Sequence, residues 1–272
     1  MYSRQEIADD LRRLGIVPGD AVMLHASVRS VGRVAGGSDQ IHLALKDALT
    51  SEGTLMMYAS CPDYYDEVGR GNLTAEEEHE IREKLPPFDA LTARSARDNG
   101  SLVELLRTYP DSRVNHHVAR FVCWGKQADY LISSQPWNYA FGDGSALERF
   151  LKLDGKIVLL GSDHDAVTFL HYVEHVADFP NKLIARFEVP VMEDGQRVWR
   201  AMEEVDTSDR AHKNWPDRFF ARIVGSWLSK TNNRGGRVGD AMTYVMSGRY
   251  LYDFAHPLIE AVARDPHAAD AL

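Results

Sequence analysis

The chain has 272 residues, of which 44% are hydrophobic and 26% are charged, and it carries a formal net charge of −9. Such a chain can bury a sizeable core, but its excess of acidic residues argues against nucleic acid as a partner, because phosphate binding requires clustered cations. It contains no apolar run of about eighteen residues that could span a membrane, and only two cysteines, so we expect a cytoplasmic protein with a single domain over residues 1–272.

The first sixty residues alternate between helical and extended patterns. An amphipathic helix is predicted over 3–14, and apolar residues predict strands over 21–25 and 54–60. Ser38 can cap a helix over 39–49, which lies between the two strands. A strand, a helix and a second strand in this order favour a mostly parallel sheet.

Between residues 61 and 96 the regular pattern is lost and acidic residues predominate. We interpret this stretch as a long excursion from the domain, with one short helix near 75–84. Acidic runs are commonly solvated loops. Long excursions in compact domains are often lids or binding loops, however, so a second interpretation is an acidic wall for a cationic ligand.

The second half of the chain predicts helices, short strands and a C-terminal hairpin. Gly142 to Ser145 open a helix over 146–152, an arrangement that suits phosphate binding but also fits an ordinary capped turn. The segments 184–192 and 198–205 flank Glu193-Asp-Gly195 and predict the hairpin. The other predicted elements are helices over 102–109, 128–133, 215–228 and 250–264, and a strand over 121–125.

The most informative stretch runs from Lys156 to Asp178 and predicts a buried strand, a polar turn and a helix. Asp163 or Asp165 can cap that helix. Open α/β sheets place their ligand sites just past such strand ends. One face of the helix carries a hydroxyl, a base candidate and a carboxylate: Thr168, His171 and Glu174.

These residues alone leave three interpretations of the helix open. The pattern His171-x-x-Glu174-His175 matches inverted zincins, in which both histidines bind zinc and the glutamate is the base. Alternatively, His171 is a metal-free general base whose tautomer is fixed by a carboxylate. The third interpretation is an ordinary amphipathic helix with a solvated polar face.

Six ordered blocks of the sequence together resemble the aminoglycoside 3-N-acetyltransferase family. The blocks are His25-Ala-Ser-Val-Arg-Ser-Val-Gly32 with Gly36-Gly37, Pro87-Phe-Asp89, Gly142-x-Gly-Ser145, Asp154 to Gly161 continued by Thr168-Phe-Leu-His171 and Glu174-His-x-Ala-Asp178, Arg186-Phe-Glu-Val-Pro190, and Glu203-Glu-Val-Asp-Thr207.

The sequence departs from the family pattern in two places. Ala146 stands where proline is usual, and His116-His117-Val118 stands where Asn-Pro or His-Pro is common. Taken together, the blocks still outweigh the zinc interpretation. The resemblance implies an α/β fold with a central mixed, mostly parallel sheet flanked by helices, distinct from the acetyltransferase class with a Gly-rich coenzyme A motif.

The resemblance also implies a reaction: transfer of an acetyl group from acetyl-CoA to the 3-amino group of the 2-deoxystreptamine ring of an aminoglycoside antibiotic, which gives resistance. An amine at neutral pH is mostly protonated and needs a base before it can attack the thioester directly. We therefore predict His171 as that base and Glu174 as the group that stabilises the imidazolium. Thr168 is predicted to contact the thioester carbonyl or the base, and no metal is expected.

Two sets of binding residues follow from the resemblance. For acetyl-CoA, the predicted contacts are Ser27, Val28, Arg29, Ser30 and Val31 after a strand end, and Gly144 and Ser145 at a helix start. For the polycationic drug, they are Asp63, Tyr64, Glu67, Asp89, Glu204 and Asp206. The protein is expected to be a monomer or a homodimer that binds neither nucleic acid nor a membrane.

Three rival functions remain open from the sequence. A zinc hydrolase would use His171, Glu174 and His175 and would need a third metal ligand downstream, such as Glu188 or Glu203. A non-enzymatic binder of cationic sugars would show affinity without consuming acetyl-CoA. An acetyltransferase of the same family could act on a different amine.

Overall fold

The computed structural model describes residues 1–207 and 215–272. Its centre is a seven-stranded sheet in the order β3-β4-β2-β1-β5-β9-β8. The strands of this sheet are β1 (Ala21–Ala26), β2 (Thr54–Tyr58), β3 (Arg113–Val114), β4 (Phe121–Gly125), β5 (Lys156–Leu160), β8 (Gly236–Val238) and β9 (Ala241–Ser247). The central strand β1 pairs in parallel with β2 and β5, whereas the four outer pairings are antiparallel. The predicted mixed sheet is confirmed.

Helices cover both faces of this sheet. The α-helices in the described part of the chain are α1 (Arg4–Arg13), α2 (Val28–Val31), α3 (Asp39–Leu49), α4 (Ala75–Lys84), α5 (Ser101–Arg107), α6 (Ala128–Ile132), α7 (Ala146–Lys152), α8 (Phe169–Val176), α9 (Phe219–Lys230) and α10 (Gly248–Arg264). Of these, α4 lies in the excursion and buries no residue. One apolar core joins the sheet to α1, α3 and α5, and another joins it to α6 to α10. In the described part of the chain, no helix combines the length and the apolar composition that a membrane span requires.

The three parallel strands are buried on both faces, which explains why their sequences are continuous apolar runs. Their carboxyl ends meet at one edge of the sheet, with Ala26 of β1 paired to Leu160 of β5. The loops that follow the three strands therefore converge at this edge, where ligand sites of such sheets form.

A hairpin of two long strands, β6 (Ile184–Glu193) and β7 (Gln196–Val205), forms a second sheet. The hairpin was predicted with nearly these bounds. It packs against the stretch 61–96 and contributes to a third apolar core, whose buried members include Cys61, Tyr65 and Phe187. The hairpin and the acidic excursion thus lie against each other as one layer beside the main sheet.

Arg120 ties the excursion to the main sheet. This side chain is completely buried and donates hydrogen bonds to the carbonyls of Ser60 (3.1 Å), Ala90 (2.6 Å), Ala93 (2.8 Å) and Arg94 (2.7 Å). Buried carbonyls must be hydrogen-bonded, and a loop has no ladder to satisfy them. The guanidinium of Arg120 supplies the missing donors and fixes the path of the excursion as it returns.

The turn after β5 differs from the prediction. Asp163 accepts a hydrogen bond from the amide of Asp165 (2.8 Å) and so caps a separate 3-10 turn over His164–Ala166. The helix α8 begins only at Phe169, and Thr168 occupies its N-cap position without making a side-chain capping bond. The physical reason is that Asp163 satisfies the nearest amide in the turn, so the helix starts several residues later.

Candidate active site

His171 and Glu174 form a pair on α8. The Nδ1 atom of His171 lies 2.9 Å from Oε2 of Glu174. The imidazole is 32% exposed, whereas the glutamate side chain is only 3% exposed. A ring that donates from Nδ1 to the carboxylate presents its other nitrogen, Nε2, as the proton acceptor. The pair therefore has the arrangement of a general base oriented by a buried carboxylate.

Two aromatic rings hold the imidazole of His171 from its sides. The centroid of Phe141 lies 5.5 Å from that of His171, and the centroid of Phe220 lies 5.0 Å away in an edge contact. Phe220 belongs to the first turn of α9, which Asp165 caps by accepting a hydrogen bond from the amide of Ala221 (2.9 Å). These contacts restrict the rotation of the imidazole, which lines a cavity.

The cavity above His171 has a volume of about 810 Å³. Its described lining includes Asp165, Glu174 and Asp217 as carboxylates and Arg218 as a cation. This volume falls within the range of pockets that hold small organic ligands. The cavity combines an oriented base with negative charge, and a cationic ligand fits both.

A second cavity of about 480 Å³ lies at the carboxyl ends of β1, β2 and β5. Its lining includes His25, Ser27, Tyr58 and Thr168. Burial lowers the pKa of His25 to about 4 and raises the pKa of Tyr58, so both are neutral near pH 7. Thr168 and His171 therefore open onto two different cavities, although only two residues separate them in the chain.

The segment predicted to hold acetyl-CoA, residues 27–31, follows the end of β1, as predicted, with Ser27 as the N-cap residue of the short helix α2. Ser27 lines the second cavity, and Ser30 lines a neighbouring one of about 500 Å³. The Ser30 hydroxyl donates to Oγ of Ser27 (2.8 Å). Val28 is half-buried and Arg29 is exposed, whereas the side chain of Val31 is completely buried in the core and cannot contact a ligand.

Gly144 and Ser145 lie in an ordinary capped turn. Ser145 is completely buried, and its hydroxyl accepts the amide of Glu148 (3.2 Å) as the N-cap of α7. The amide of Gly144 donates to the carboxylate of Glu148 (2.9 Å), and its carbonyl accepts from Arg149 (2.8 Å). The polar groups predicted to receive acetyl-CoA are therefore engaged within the protein.

The predicted drug-binding residues of the excursion do not line the cavity of His171. Asp63 and Tyr64 are exposed, and Glu67 accepts a hydrogen bond from Asn72 (3.2 Å). Asp89 caps its own turn, where bonds from the Thr92 hydroxyl and the backbone lower its pKa. All four residues lie on the excursion, and none of them is among the described residues that line that cavity.

Glu204 and Asp206 lie at the end of β7, beside α8. Glu204 is buried and bonds to Nε2 of His175 (2.5 Å), so it does not form an open acidic wall. Asp206 is half-buried and donates its amide to the carbonyl of Leu183 (2.9 Å) at the base of the hairpin. Thr207, the next residue, lines the cavity of His171.

The zinc interpretation does not fit this geometry. His175 directs Nδ1 at the carbonyl of His171 (2.6 Å) and Nε2 at Glu204, so the two histidine rings do not converge on one point. Across residues 1–207 and 215–272, no group of three or more His, Cys, Asp or Glu side chains is arranged to hold a metal ion.

Comparison with known sequences shows which family this site belongs to. Residues 23–260 match the family described as aminoglycoside 3-N-acetyltransferase. The chain belongs to this family. Aminoglycoside N(3)-acetyltransferase III of Pseudomonas aeruginosa is 36% identical to it over 264 residues, which cover 96% of this chain and 94% of that protein. As a member of the aminoglycoside 3-N-acetyltransferase family, the chain is an enzyme of the transferase class.

Solved structures of the acetyltransferase family share the fold. The complex described as AAC-IIIb binary with CoASH is 35% identical and superposes with a TM-score of 0.89, covering 96% of this chain and 97% of that one. Sisomicin-bound AAC-VIa is 31% identical with a TM-score of 0.87, covering 96% and 99%. The fold class predicted from the family resemblance is therefore confirmed.

Sequence reasoning missed several residues that shape the site of this acetyltransferase. Phe141 and Phe220 are distant in sequence from His171, and an aromatic residue near or within a predicted helix is usually interpreted as core. The link between His175 and Glu204 also joins distant segments. The sequence did contain one signal for this link. His175 and Glu204 both belong to the six blocks that carry the family resemblance, which indicates that their segments meet in space.

Proposed function

We propose that the chain transfers the acetyl group of acetyl-CoA to the 3-amino group of the 2-deoxystreptamine ring of aminoglycosides, and so gives resistance to them. The observation that carries the proposal is the hydrogen-bonded pair of His171 and Glu174, which lines a cavity of about 810 Å³. Its support is the family membership, the CoASH in the complex of AAC-IIIb and the sisomicin bound to AAC-VIa.

In the proposed mechanism, His171 removes a proton from the substrate ammonium group. The amine nitrogen then attacks the thioester carbon, so that an N–C bond forms as the C–S bond breaks and CoA leaves as thiolate. The attacking nitrogen then loses its second proton to the thiolate sulfur, which gives the amide and the free CoA thiol, and the proton held on Nε2 passes to solvent. Glu174 stabilises the imidazolium, because a buried carboxylate beside the ring favours its charged form.

The two cavities suit the two substrates. The cavity of His171 receives the polycationic drug, since Asp165 and Asp217 face it and Asp206 lies next to the lining residue Thr207. The cavity beside Thr168 and Ser27 receives the acetylated arm of acetyl-CoA. Thr168 lines this second cavity, so we propose that its hydroxyl contacts the thioester carbonyl of the bound arm.

One assay tests the proposed function: thiol release from acetyl-CoA with a panel of aminoglycosides, some of them blocked at the 3-amino group. The unblocked drugs should release thiol and gain one acetyl group, and the blocked drugs should not. Release with the blocked drugs, or acetylation at another position, would contradict the assigned regiochemistry. If only a different class of amine is acetylated, the enzyme belongs to the family but has another substrate.

A further inference from the structure

The buried pair of His175 and Glu204 connects the hairpin to the helix that carries His171. We propose that His175 is a positioning residue, which stays protonated on both ring nitrogens and holds the end of β7 in place for drug binding. The proposal deepens the proposed function and depends on it for the kinetic consequence, but not for the charge state of the pair.

The charge state follows from counting hydrogen-bond donors. Nδ1 of His175 lies 2.6 Å from the carbonyl oxygen of His171, which can only accept, so Nδ1 must carry a proton. Nε2 lies 2.5 Å from Oε1 of Glu204. One proton is therefore shared between that nitrogen and that oxygen, in addition to the proton on Nδ1.

The surroundings of Glu204 place the shared proton on the histidine. Its Oε2 accepts the amide of Ala140 (2.7 Å), and its Oε1 also accepts the amide of Val205 (3.2 Å). Two backbone donors aimed at a carboxyl group favour its ionised form. With Glu204 ionised, His175 is an imidazolium, and the result is a charge-assisted hydrogen bond that is 1% exposed on the histidine side and 12% on the glutamate side.

This bond fixes two segments at the edge of the drug cavity. Glu204 is followed by Asp206 and by Thr207, which lines the cavity together with His171. The bond from Ala140 to Glu204 also holds the segment that carries Phe141, whose ring contacts both His171 and His175. Without the pair, the end of β7 would lose its anchor on α8, and the drug would lose aligned contacts in the ground state and the transition state alike.

The test compares two substitutions of the same histidine. His175→Gln places an amide donor near the position of Nε2 and retains the bond to Glu204. His175→Asn places its donor near the position of Nδ1 and retains only the bond to the His171 carbonyl. We expect His175→Asn to raise the KM for the drug about tenfold and to change the KM for acetyl-CoA by less than about threefold. Any fall in kcat, caused by looser contact of Phe141 with His171, should be smaller than the rise in the drug KM. His175→Gln should recover most of the drug KM.

The charge state is measured directly by proton–nitrogen NMR of the imidazole nitrogens at about pH 8.5, two units above the ordinary pKa of histidine. Both nitrogens of His175 should carry protons in the wild type, and Glu204→Gln should leave only one protonated. His256→Asn, which alters a helix histidine beside Glu260 on α10, is the matched control and should change neither readout.

Each outcome decides the proposal. A neutral His175 at that pH would overturn the charged pair. Equal KM effects of His175→Asn and His175→Gln, or an equal rise in both KM values, would overturn the positioning role. If the wild type acetylates no aminoglycoside, the proposed function fails while the NMR result still decides the charge state. If one histidine variant does not fold, Glu204→Gln, which can keep the bond to His175, is compared with Glu204→Ala, which cannot; equal drug KM values for these two would overturn the positioning role.

Discussion

His171 and Glu174 make a direct contact of 2.9 Å between Nδ1 and Oε2, within a single helix. Residues three apart on a helix share a face, but that spacing alone does not bring their polar atoms into hydrogen-bond range. Here the burial of Glu174 and the aromatic rings beside His171 select the bonded arrangement. The contact gives the proposed base a defined orientation before any substrate binds.

Replacing His171 by Ala should reduce kcat by about 10²- to 10⁴-fold, the usual contribution of general base catalysis. Drug affinity measured by calorimetry should change little, because the imidazole acts on the reacting nitrogen and the carboxylates of the cavity remain. His256→Ala on α10 is the control. Full turnover by the His171 variant would remove this residue from the mechanism.

Glu174→Gln tests whether the carboxylate supports the base. The substitution keeps the size of the side chain but removes the charge that stabilises the imidazolium, so we expect kcat to fall about 10²-fold, at the lower end of the same range. The variant should still bind both substrates. An unchanged kcat, measured by thiol release at saturating substrate, would mean that Glu174 has only a packing role.

The acidic cavity predicts which carboxylates bind the drug. Asp217→Asn should raise the KM for the drug more than it lowers kcat, because the contact is the same in the ground state and the transition state. Asp63→Asn tests the alternative that the excursion also contacts the drug. Asp129→Asn, at an exposed position on α6, controls for the loss of one unit of net charge.

Added salt provides an independent test of the same cavity. Drug affinity should fall as ionic strength rises, because charges at the surface of a protein are screened within about 10 Å at 0.1 M salt. The drug affinity of Asp217→Asn should fall less steeply with ionic strength than the drug affinity of the wild type. An affinity that is indifferent to salt would contradict electrostatic recognition of the drug.

Arg120→Met should destabilise the protein strongly. The substitution leaves four carbonyls without their donor, and each buried acceptor left unsatisfied costs about 1–3 kcal/mol. We expect the free energy of unfolding to fall by at least about 3 kcal/mol, measured by urea denaturation with an unchanged m-value. Arg113→Met, which removes a half-exposed cation 3.7 Å from Asp129, should cost less than about 1 kcal/mol.

Three histidines with lowered pKa values make the stability depend on pH. Burial lowers the pKa values of His25, His42 and His117 to about 4. The unfolded chain therefore binds more protons than the folded one below about pH 6.5, so their contribution to stability is complete above that pH and is lost as the pH falls toward 4. Urea denaturation at pH 7 and pH 5 should show a lower free energy of unfolding at pH 5.

The sharper test of this dependence is its slope. His117→Asn removes one titrating group and should flatten the decline between pH 6.5 and 5, by up to about 1.4 kcal/mol per pH unit. His79→Asn, at an exposed position on α4, should leave the slope as it is. The same slope in the wild type, His117→Asn and His79→Asn would mean that His117 binds protons equally in the folded and unfolded states.

The framework of the fold could be predicted because its signals are local. The apolar runs of β1, β2 and β5, the turn at Glu193-Asp-Gly195 and the helical period of α10 each specify their own element. The sequence predicted no element for residues 28–31, since a single helical turn with mixed polarity has too few residues to show a period.

The site was harder to predict because it depends on contacts between distant segments. The carboxylate of Glu204 was predicted to bind the drug, whereas the structure places it against His175. Ser145 looked like a ligand for phosphate, but its hydroxyl serves its own helix. In both cases the sequence shows which polar groups are present, whereas burial and neighbouring donors decide what each group does.

The third core, shared by the hairpin and the excursion, has a consequence for how the protein opens locally. Its buried side chains, with Phe187 and Tyr65 among them, form a cluster separate from the two cores that join the main sheet to its helices. Local unfolding follows such units of packing. The hairpin and the excursion can therefore open as one unit while α8, whose apolar side chains belong to the core of the main sheet, keeps its packing.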